Sequence, residues 1–278
     1  MTMRIKKRYV VLAMALLLSI GYLFPLIWML NTSLRTVQDI YRFPPSLFPQ
    51  KITLENYIYV TLKIKMFGRF FLNSVVVTLA TMVLVVLFSA MGGYAFGFKK
   101  FKGQNVLFLG IIFVLMVPYI VYLIPIYMME DRLRLTNTWG GLILPYVALN
   151  LPWGLLIMRG AFSTIPKDVA DAAIIDGCNE LQLWSRVLLP LTKPSLAATA
   201  VVTFVFAWQE YMFASTLMTE NKWQTLPVGI VWIKDELQTL VYGRVGATII
   251  LAILPVFVLF VVFRNFFIKG LSEGMLKG

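Results

Sequence analysis

Six long runs without a charged side chain constrain this sequence more than any other feature. They cover residues 9–34, 70–98, 103–129, 135–158, 194–219 and 245–263, and only Glu210 interrupts the fifth. A helix needs about 20 apolar residues to cross the hydrocarbon core of a bilayer. We therefore predict an all-α membrane protein with a single transmembrane domain over 1–278, whose six spans lie at about 9–31, 71–97, 105–128, 137–158, 195–218 and 245–267.

The composition supports a membrane protein and excludes several classes of site. Hydrophobic residues make up 59% of the chain and charged residues 14%, whereas soluble domains carry about 25% charged residues. Because the basic residues cluster beside apolar runs, the net charge of +12 indicates a lipid bilayer and no nucleic acid as partner. The absence of histidine and the single cysteine exclude Ser-His-Asp triads, histidine-based zinc sites and intrachain disulfides.

The lysines and arginines also predict the orientation. Residues 4–8 and 99–102 hold tight basic clusters that flank apolar runs, and such clusters favour the cytoplasmic side. We expect both termini and residues 159–193 to be cytoplasmic, with 36–69 and 220–244 as outer loops. No Gly-x-x-x-x-Gly-Lys-Ser/Thr phosphate loop occurs, so the chain carries no sequence signature of an ATPase.

Residues 159–193 form the one predicted cytoplasmic segment long enough to build a structure of its own. Asp168 and Asp171 follow Pro166 closely, as acids do in the first turns of a helix. A thin apolar stripe, expected to let another surface approach closely, is formed by Val169, Ala170, Ala173 and Ile174.

The second half of this segment predicts another helix after a turn. Gly177 is expected to end the first helix. Asn179, with Gln182 three residues later, has the spacing of a capping box that opens the second. We expect Pro190 to end it. The segment is therefore predicted to be a helix, a glycine turn and a second helix, with an apolar ridge and no bilayer to bury it.

The same residues resemble the Glu-Ala-Ala loop of permeases of binding-protein-dependent ABC importers. That pattern is Glu-Ala-Ala, three residues, Gly, nine residues, then Ile-x-Leu-Pro. Both spacings are present here, with Asp171 in place of Glu and Val187 in place of Ile. The resemblance implies that the ATPase-coupling residues are Asp168, Asp171, Ala172, Ala173, Asp176, Gly177, Leu189 and Pro190.

Shorter motifs extend the resemblance along the whole chain to the maltose-type sugar permeases, the shorter of their two paired subunits. They include Asn73-Ser74-Val75, Gly93-Tyr94-Ala95, Trp208-Gln209-Glu210 and the Gly270 to Gly278 tail. The resemblance implies three partner subunits, which are a second homologous permease and two ATPase subunits, and an extracellular or periplasmic substrate-binding protein. It also implies a prokaryotic inner membrane location. ATP and magnesium are expected on the ATPase, with no cofactor in this chain.

Glu210 is the one acid within the predicted spans, and an acid at a helix centre costs about 2.5 to 3.5 kcal/mol on insertion scales. Sugars are recognised by acids, amides and aromatic rings, so Trp208, Gln209 and Glu210 are candidate residues of the substrate pathway. The alternative is that Glu210 pairs with a helix of its own bundle or with the partner permease. The sequence leaves both open.

Two other function classes fit the composition less well. A stand-alone secondary transporter more often carries several intramembrane charges and paired broken helices, and a membrane enzyme would need a reactive cluster that the spans lack. Within the importer class, the cargo is expected to be a sugar or oligosaccharide. Another small polar solute, such as glycerol phosphate, is the alternative.

Overall fold

The computed structural model describes residues 2–44, 46–236 and 242–275. Throughout these ranges the chain forms helices and turns without a β-strand, which confirms the predicted all-α class. The chain divides into two compact units, residues 1–68 with 230–254 and residues 69–229 with 255–278. The helices, in chain order, are α1 (Thr2–Ser33), α2 (Val37–Ile40), α3 (Glu55–Ile58), α4 (Phe67–Gly97), α5 (Gln104–Phe113), α6 (Leu123–Arg132), α7 (Gly140–Ser163), α8 (Lys167–Ile175), α9 (Glu180–Gln182), α10 (Leu189–Leu191), α11 (Lys193–Gln209), α12 (Met212–Leu217), α13 (Leu226–Glu236) and α14 (Tyr242–Met275).

Within the described ranges, four helices are long and apolar enough to cross a membrane without a break. Their spanning parts are Met14–Ser33, Phe67–Gly97, Gly140–Ser163 and Tyr242–Arg264. These correspond to the first, second, fourth and sixth predicted spans, so the protein is a multi-pass membrane protein. Two further pairs of helices pass this test of length and composition only if each bent pair is counted together: Gln104–Met116 with Tyr119–Arg132 and Glu180–Leu191 with Lys193–Gln209. Such a pair is either a broken span or a re-entrant segment.

The third predicted span, 105–128, is bent rather than straight. Helix α5 runs into a short 3₁₀ turn at Val114–Met116, and the chain turns by 99° before α6. Pro118 lies at the break, and Val117 before it has extended backbone angles. Proline has no N–H for the helical ladder and restricts the residue before it, so the break falls where the sequence removes a backbone donor.

The second unit is held together by close approaches of α4, α7 and α11. Gly93 and Gly97 lie one turn apart on α4, and a Cβ on either would lie 2.4 Å from Met158 or 2.5 Å from the Arg159 carbonyl oxygen. A Cβ on Gly154 of α7 would lie 2.1 Å from the Ser89 hydroxyl. Small residues let helix backbones approach closely where lipid supplies no hydrophobic drive.

The outer loops are more ordered than predicted. In the first unit, the Asn56 amide donates to the carbonyls of Ser33 and Arg35 at 2.9 and 2.8 Å, which fixes 36–69 to the end of α1. The predicted outer loop 220–244 contains α13, so residues 226–236 of this loop are helical. Leucine, valine and isoleucine around Pro227 supply the buried face of this helix. Residues 237–241 of the same loop lie outside the described residues.

Candidate functional site

Residues 167–191, which we call the helical hairpin, begin with a helix and a glycine turn, as predicted. The Gly177 N–H donates to the Ile174 carbonyl, and the Cys178 N–H donates to the Ala173 carbonyl, each at 3.0 Å. These two bonds form a Schellman motif, which places the C′ residue in the left-handed region. Gly177 has φ +85°, so the turn needs glycine for its backbone conformation. A Cβ there would meet nothing within 4 Å, so space is not the reason.

The second half of the hairpin opens with the predicted cap. The Gln182 N–H donates to the Asn179 side chain at 2.9 Å, and the Asn179 N–H donates to the Gln182 side chain at 3.0 Å. This reciprocal pair is a capping box. It fixes the direction in which the chain leaves the Gly177 turn and enters α9.

The prediction that Pro190 ends the second helix is wrong. The helix continues through a π-helical stretch at Leu183–Leu188 and then α10, and it ends at Thr192. In an α-helix the proline ring clashes with the carbonyl four residues earlier. In the π-helical pattern, the Leu189 N–H donates to the Trp184 carbonyl five residues back. Because the turn before Pro190 bonds five residues back instead of four, Pro190 does not follow the regular α-helical register in which its ring would clash.

The inner face of the hairpin is part of the core of the second unit. Ala170 and Ala173 are buried, with Ala173 only 7% exposed, in a cluster with Met158 and Phe162 of α7. Leu183 and Leu188 from the π-helical stretch belong to the same cluster. The predicted outward-facing stripe is therefore wrong for these alanines. The spacing correctly predicted that the two alanines share one face of α8. That face packs against α7 and not against a partner.

The outer face of the hairpin is exposed and carries most of the predicted coupling residues. Ile175 is 86% exposed and Leu181 is 69% exposed. Beside these two apolar side chains, the exposed residues are Asp168, Asp171, Ala172, Asp176, Gly177 and Pro190, while Leu189 is half-buried. Leu181 belongs to the apolar ridge predicted for the second helix, whereas sequence reasoning missed Ile175. The signal for Ile175 was its position beside the Gly177 turn, outside the spacing of the buried alanines.

One ionic contact joins the hairpin to the end of α4. The Lys99 ammonium lies 2.6 Å from Glu180 Oε1, and the Tyr94 hydroxyl donates to the same oxygen. The hydrogen bond from Lys99 lowers the pKa of the Glu180 carboxyl, and the bond to Glu180 raises the pKa of Lys99. Both charged side chains are partly exposed, so the contact sets position more than stability.

The second candidate site lies where the fifth predicted span, 195–218, breaks. Helix α11 ends at Gln209, Glu210 has extended backbone angles, and α12 begins at Met212. Trp208 is buried and its ring stacks on Phe204 at 5.7 Å, whereas Gln209 is exposed. The three predicted pathway residues therefore do not face one space.

Glu210 is 7% exposed and its carboxyl is bonded within the chain. It accepts from the Phe213 N–H at 2.8 Å and the Ala214 N–H at 3.0 Å, and the Tyr146 hydroxyl donates to it. The carboxyl thus caps the first turn of α12 and ties it to α7. A carboxyl favours this position because of the unsatisfied amides and the helix dipole. Glu210 is therefore paired within its own bundle, which is the alternative that the sequence left open, and its place in the substrate pathway stays a prediction.

Sequence reasoning did not identify Tyr146 as the partner of Glu210. Tyr146 is fully buried in α7 and belongs to a cluster with Phe213, Ala214 and Leu217 of α12. A tyrosine in an apolar run normally indicates the membrane–water interface. The signal that could have found it is the requirement that a buried acid in a span has a donor nearby.

A family comparison identifies the class of protein. Residues 89–273 match the family of binding-protein-dependent transport system inner membrane components. The chain belongs to this family. It is therefore a permease of ABC importers, and the matched region includes the helical hairpin and Glu210.

Relatives match this permease over nearly its whole length. An arabinooligosaccharides transport system permease protein of Halalkalibacterium halodurans is 33% identical, over 94% of this chain and 96% of the relative. A trehalose/maltose transport system permease protein of Thermococcus litoralis is 32% identical, over 98% of both chains. A crystal structure of a bacterial ABC transporter involved in alginate import has a chain with TM-score 0.79 and 24% identity, covering 94% of the permease and 98% of that chain. The last comparison confirms the fold.

Proposed function

We propose that the permease forms half of the pathway by which an ATP-driven importer takes up a sugar or oligosaccharide. The assignment of the cargo rests on sequence identity above 30%, over almost the full length, to permeases of arabinooligosaccharide and trehalose/maltose transport systems. The dependence of the family on a binding protein supports delivery of the cargo from outside the cell. A small polar solute such as glycerol phosphate is the alternative cargo.

We propose that the outer face of the helical hairpin docks onto an ATPase subunit. Ile175 and Leu181 are large apolar side chains that no described part of the chain covers, and Asp168 and Asp171 lie beside them. Exposed apolar residues rimmed by polar ones are typical of protein interaction sites. With an ATPase bound at this face, the hairpin and both termini would be cytoplasmic, as the basic clusters also favour.

The packing of the hairpin suits it to transmit movement. Its inner face shares a core with α7 through Ala170, Ala173 and Phe162, and the Gly177 turn and the capping box hold its two halves together. Packed helices move as rigid bodies because cores are not continuously deformable. A displacement at Ile175 is therefore passed to the spans.

The remaining partners follow from the exposed spans and from the missing nucleotide motif. No residue in the hydrophobic window of Met14–Ser33 is buried within the chain, which supports contact of α1 with lipid or with a second homologous permease. ATP and magnesium belong to the two ATPase subunits in this proposal, because the sequence has no phosphate loop.

Recovery of the tagged permease from its native membrane tests the proposal. We expect an ABC-type ATPase and a second permease to co-purify, and reconstituted vesicles to take up glycan only with ATP and binding protein. Recovery of the chain alone, with uptake that needs no ATP, would contradict the importer assignment. Uptake of glycerol phosphate in preference to every oligosaccharide in the panel would contradict the cargo assignment alone.

A further inference from the structure

The first unit contains a cavity of 290 Å³ that the import function does not explain. It lies where the last turns of α1 meet α2 and the first turns of α14. The residues that matter for its chemistry are Trp28, Thr32, Arg35, Ser46, Tyr242 and Val245. The wall is built closely, since a Cβ on Gly246 of α14 would lie 2.9 Å from the Met29 carbonyl oxygen of α1.

Arg35 supplies a buried positive charge to this cavity. The residue is 6% exposed. Its Nε donates to Asn31 Oδ1 at 2.8 Å, one Nη donates to the Ser46 hydroxyl at 3.2 Å, and the other donates to the Ser46 carbonyl at 2.7 Å. A guanidinium carries five N–H donors. Two donors therefore have no protein acceptor among the described residues.

The charge of Arg35 also has no direct counter-ion in the described part of the chain. Ion pairs there join Lys99 to Glu180 and Lys222 to Glu220. Asp39 reaches Arg35 only indirectly, since the Ser46 hydroxyl donates to Asp39 Oδ1 at 3.3 Å. An ionised side chain buried without a partner is costly. An anion in the cavity would supply both the missing charge and the missing acceptors.

The position of the cavity indicates which anion it takes. It lies between the ends of two spans, Met14–Ser33 and Tyr242–Arg264. The ends of spanning helices are expected at the headgroup region that borders the hydrocarbon core. Trp28 and Tyr242 are half-exposed aromatic residues at its rim, and tryptophan and tyrosine favour this interface. Leu23, Ile27 and Leu30 of α1 are exposed and offer an apolar surface for acyl chains.

We propose that this cavity binds the phosphate of an anionic phospholipid headgroup. The two unused Arg35 donors hold two phosphate oxygens, since the guanidinium fork matches phosphate geometry. Trp28 and Tyr242 flank the glycerol backbone, and the acyl chains follow α1. The bound lipid fixes the junction of α1, α2 and α14 at the membrane surface.

Thermal unfolding of the purified full-length permease in a neutral detergent tests the proposal. Short-chain phosphatidylglycerol is added to the wild type and to Val245→Trp, which fills the cavity and leaves Arg35 in place. Val258→Trp, at an exposed valine on the same helix, is the matched control. Arg35→Lys keeps the charge but removes the fork. Short-chain phosphatidylcholine and inorganic phosphate are the comparison ligands.

We expect phosphatidylglycerol to raise the Tm of the wild type and of Val258→Trp by several degrees in a concentration-dependent way. The shift should be at least halved in Arg35→Lys and absent in Val245→Trp. An equal shift with phosphatidylcholine, or an undiminished shift in Val245→Trp, would overturn the proposal. An equal shift with inorganic phosphate would overturn the assignment to lipid. The proposal would also be overturned if the assembled importer contained no lipid phosphorus and an acidic residue of the second permease could be cross-linked to the cavity.

Discussion

Replacing Glu210 by alanine should lower the free energy of unfolding, and any loss of transport should be a consequence of that lower stability. The substitution removes the acceptor for the Tyr146 hydroxyl and for the Phe213 and Ala214 amides. Each buried donor left unsatisfied costs about 1 to 3 kcal/mol. Because the three donors share one carboxyl, their costs are not additive, and we expect a loss of about 3 to 5 kcal/mol for a buried polar centre.

Conservative variants should give smaller losses in a defined order. Glu210→Gln keeps one acceptor oxygen but turns an NH₂ group toward a donor, so we expect about 1 to 2 kcal/mol. Tyr146→Phe keeps the two hydrogen bonds that backbone amides donate to Glu210, so we expect a loss of about 1 kcal/mol of unfolding free energy. Gln209→Ala is the matched control, because Gln209 is the exposed neighbour, and it should change the unfolding free energy by less than about 0.5 kcal/mol.

Denaturant unfolding of the purified variants in mixed micelles, with uptake measured on the same preparations, checks this order. The double variant Tyr146→Phe with Glu210→Gln should cost less than the sum of the single changes, because the two residues share one hydrogen bond. If Glu210→Ala unfolds like the wild type and still abolishes uptake, the structural role assigned to Glu210 is refuted and a role in the pathway is restored.

Three further predictions concern the helical hairpin. Gly177→Ala should cost about 1 kcal/mol from the left-handed backbone alone, whereas Gly177→Asn should cost less because asparagine tolerates that conformation; equal Tm values for both variants and the wild type would refute the turn argument. Ala173→Trp should lower the Tm by overpacking the buried face, at about 1 to 3 kcal/mol or more, whereas the exposed Ala172→Trp should keep the Tm and weaken ATPase co-purification; the reverse pattern would show that the faces are exchanged. The effect of Glu180→Gln on Tm should be constant from about pH 6 to 9, because the lowered Glu180 pKa and the raised Lys99 pKa keep the pair charged there. The effect on Tm should vanish as the pH falls through the folded-state pKa of Glu180. A change of the effect near pH 7 would contradict the ion pair between Glu180 and Lys99.

The sequence was sufficient for the features that depend on local pattern. The apolar runs predicted the four unbroken spans, and the residues at Gly177, Asn179 and Gln182 predicted the turn and the cap, because such preferences arise within a few residues of chain. The family resemblance was carried by the spacing from Asp171 to Pro190, and the family comparison confirms it.

Features that depend on which helices are neighbours could not be predicted in the same way. The periodicity of Ala170 and Ala173 shows that they share a face but not what covers it, and α7 covers it. The bond from Tyr146 to Glu210 joins residues 64 positions apart, and no local pattern reports such a pair. Pro190 continues its helix because the preceding turn is π-helical, which residue preferences do not indicate.

Site-directed cross-linking from the outer face of the hairpin tests the central claim most directly. In a Cys178→Ser background, a photoactivatable maleimide is attached at Ile175→Cys in the importer assembled in native membranes. Ala170→Cys, on the buried face of the same helix, is the matched control. We predict a product that contains the ATPase from position 175, with a yield that changes when ATP is bound, and none from position 170. Products with lipid alone from position 175, or equal ATPase products from both positions, would contradict the account.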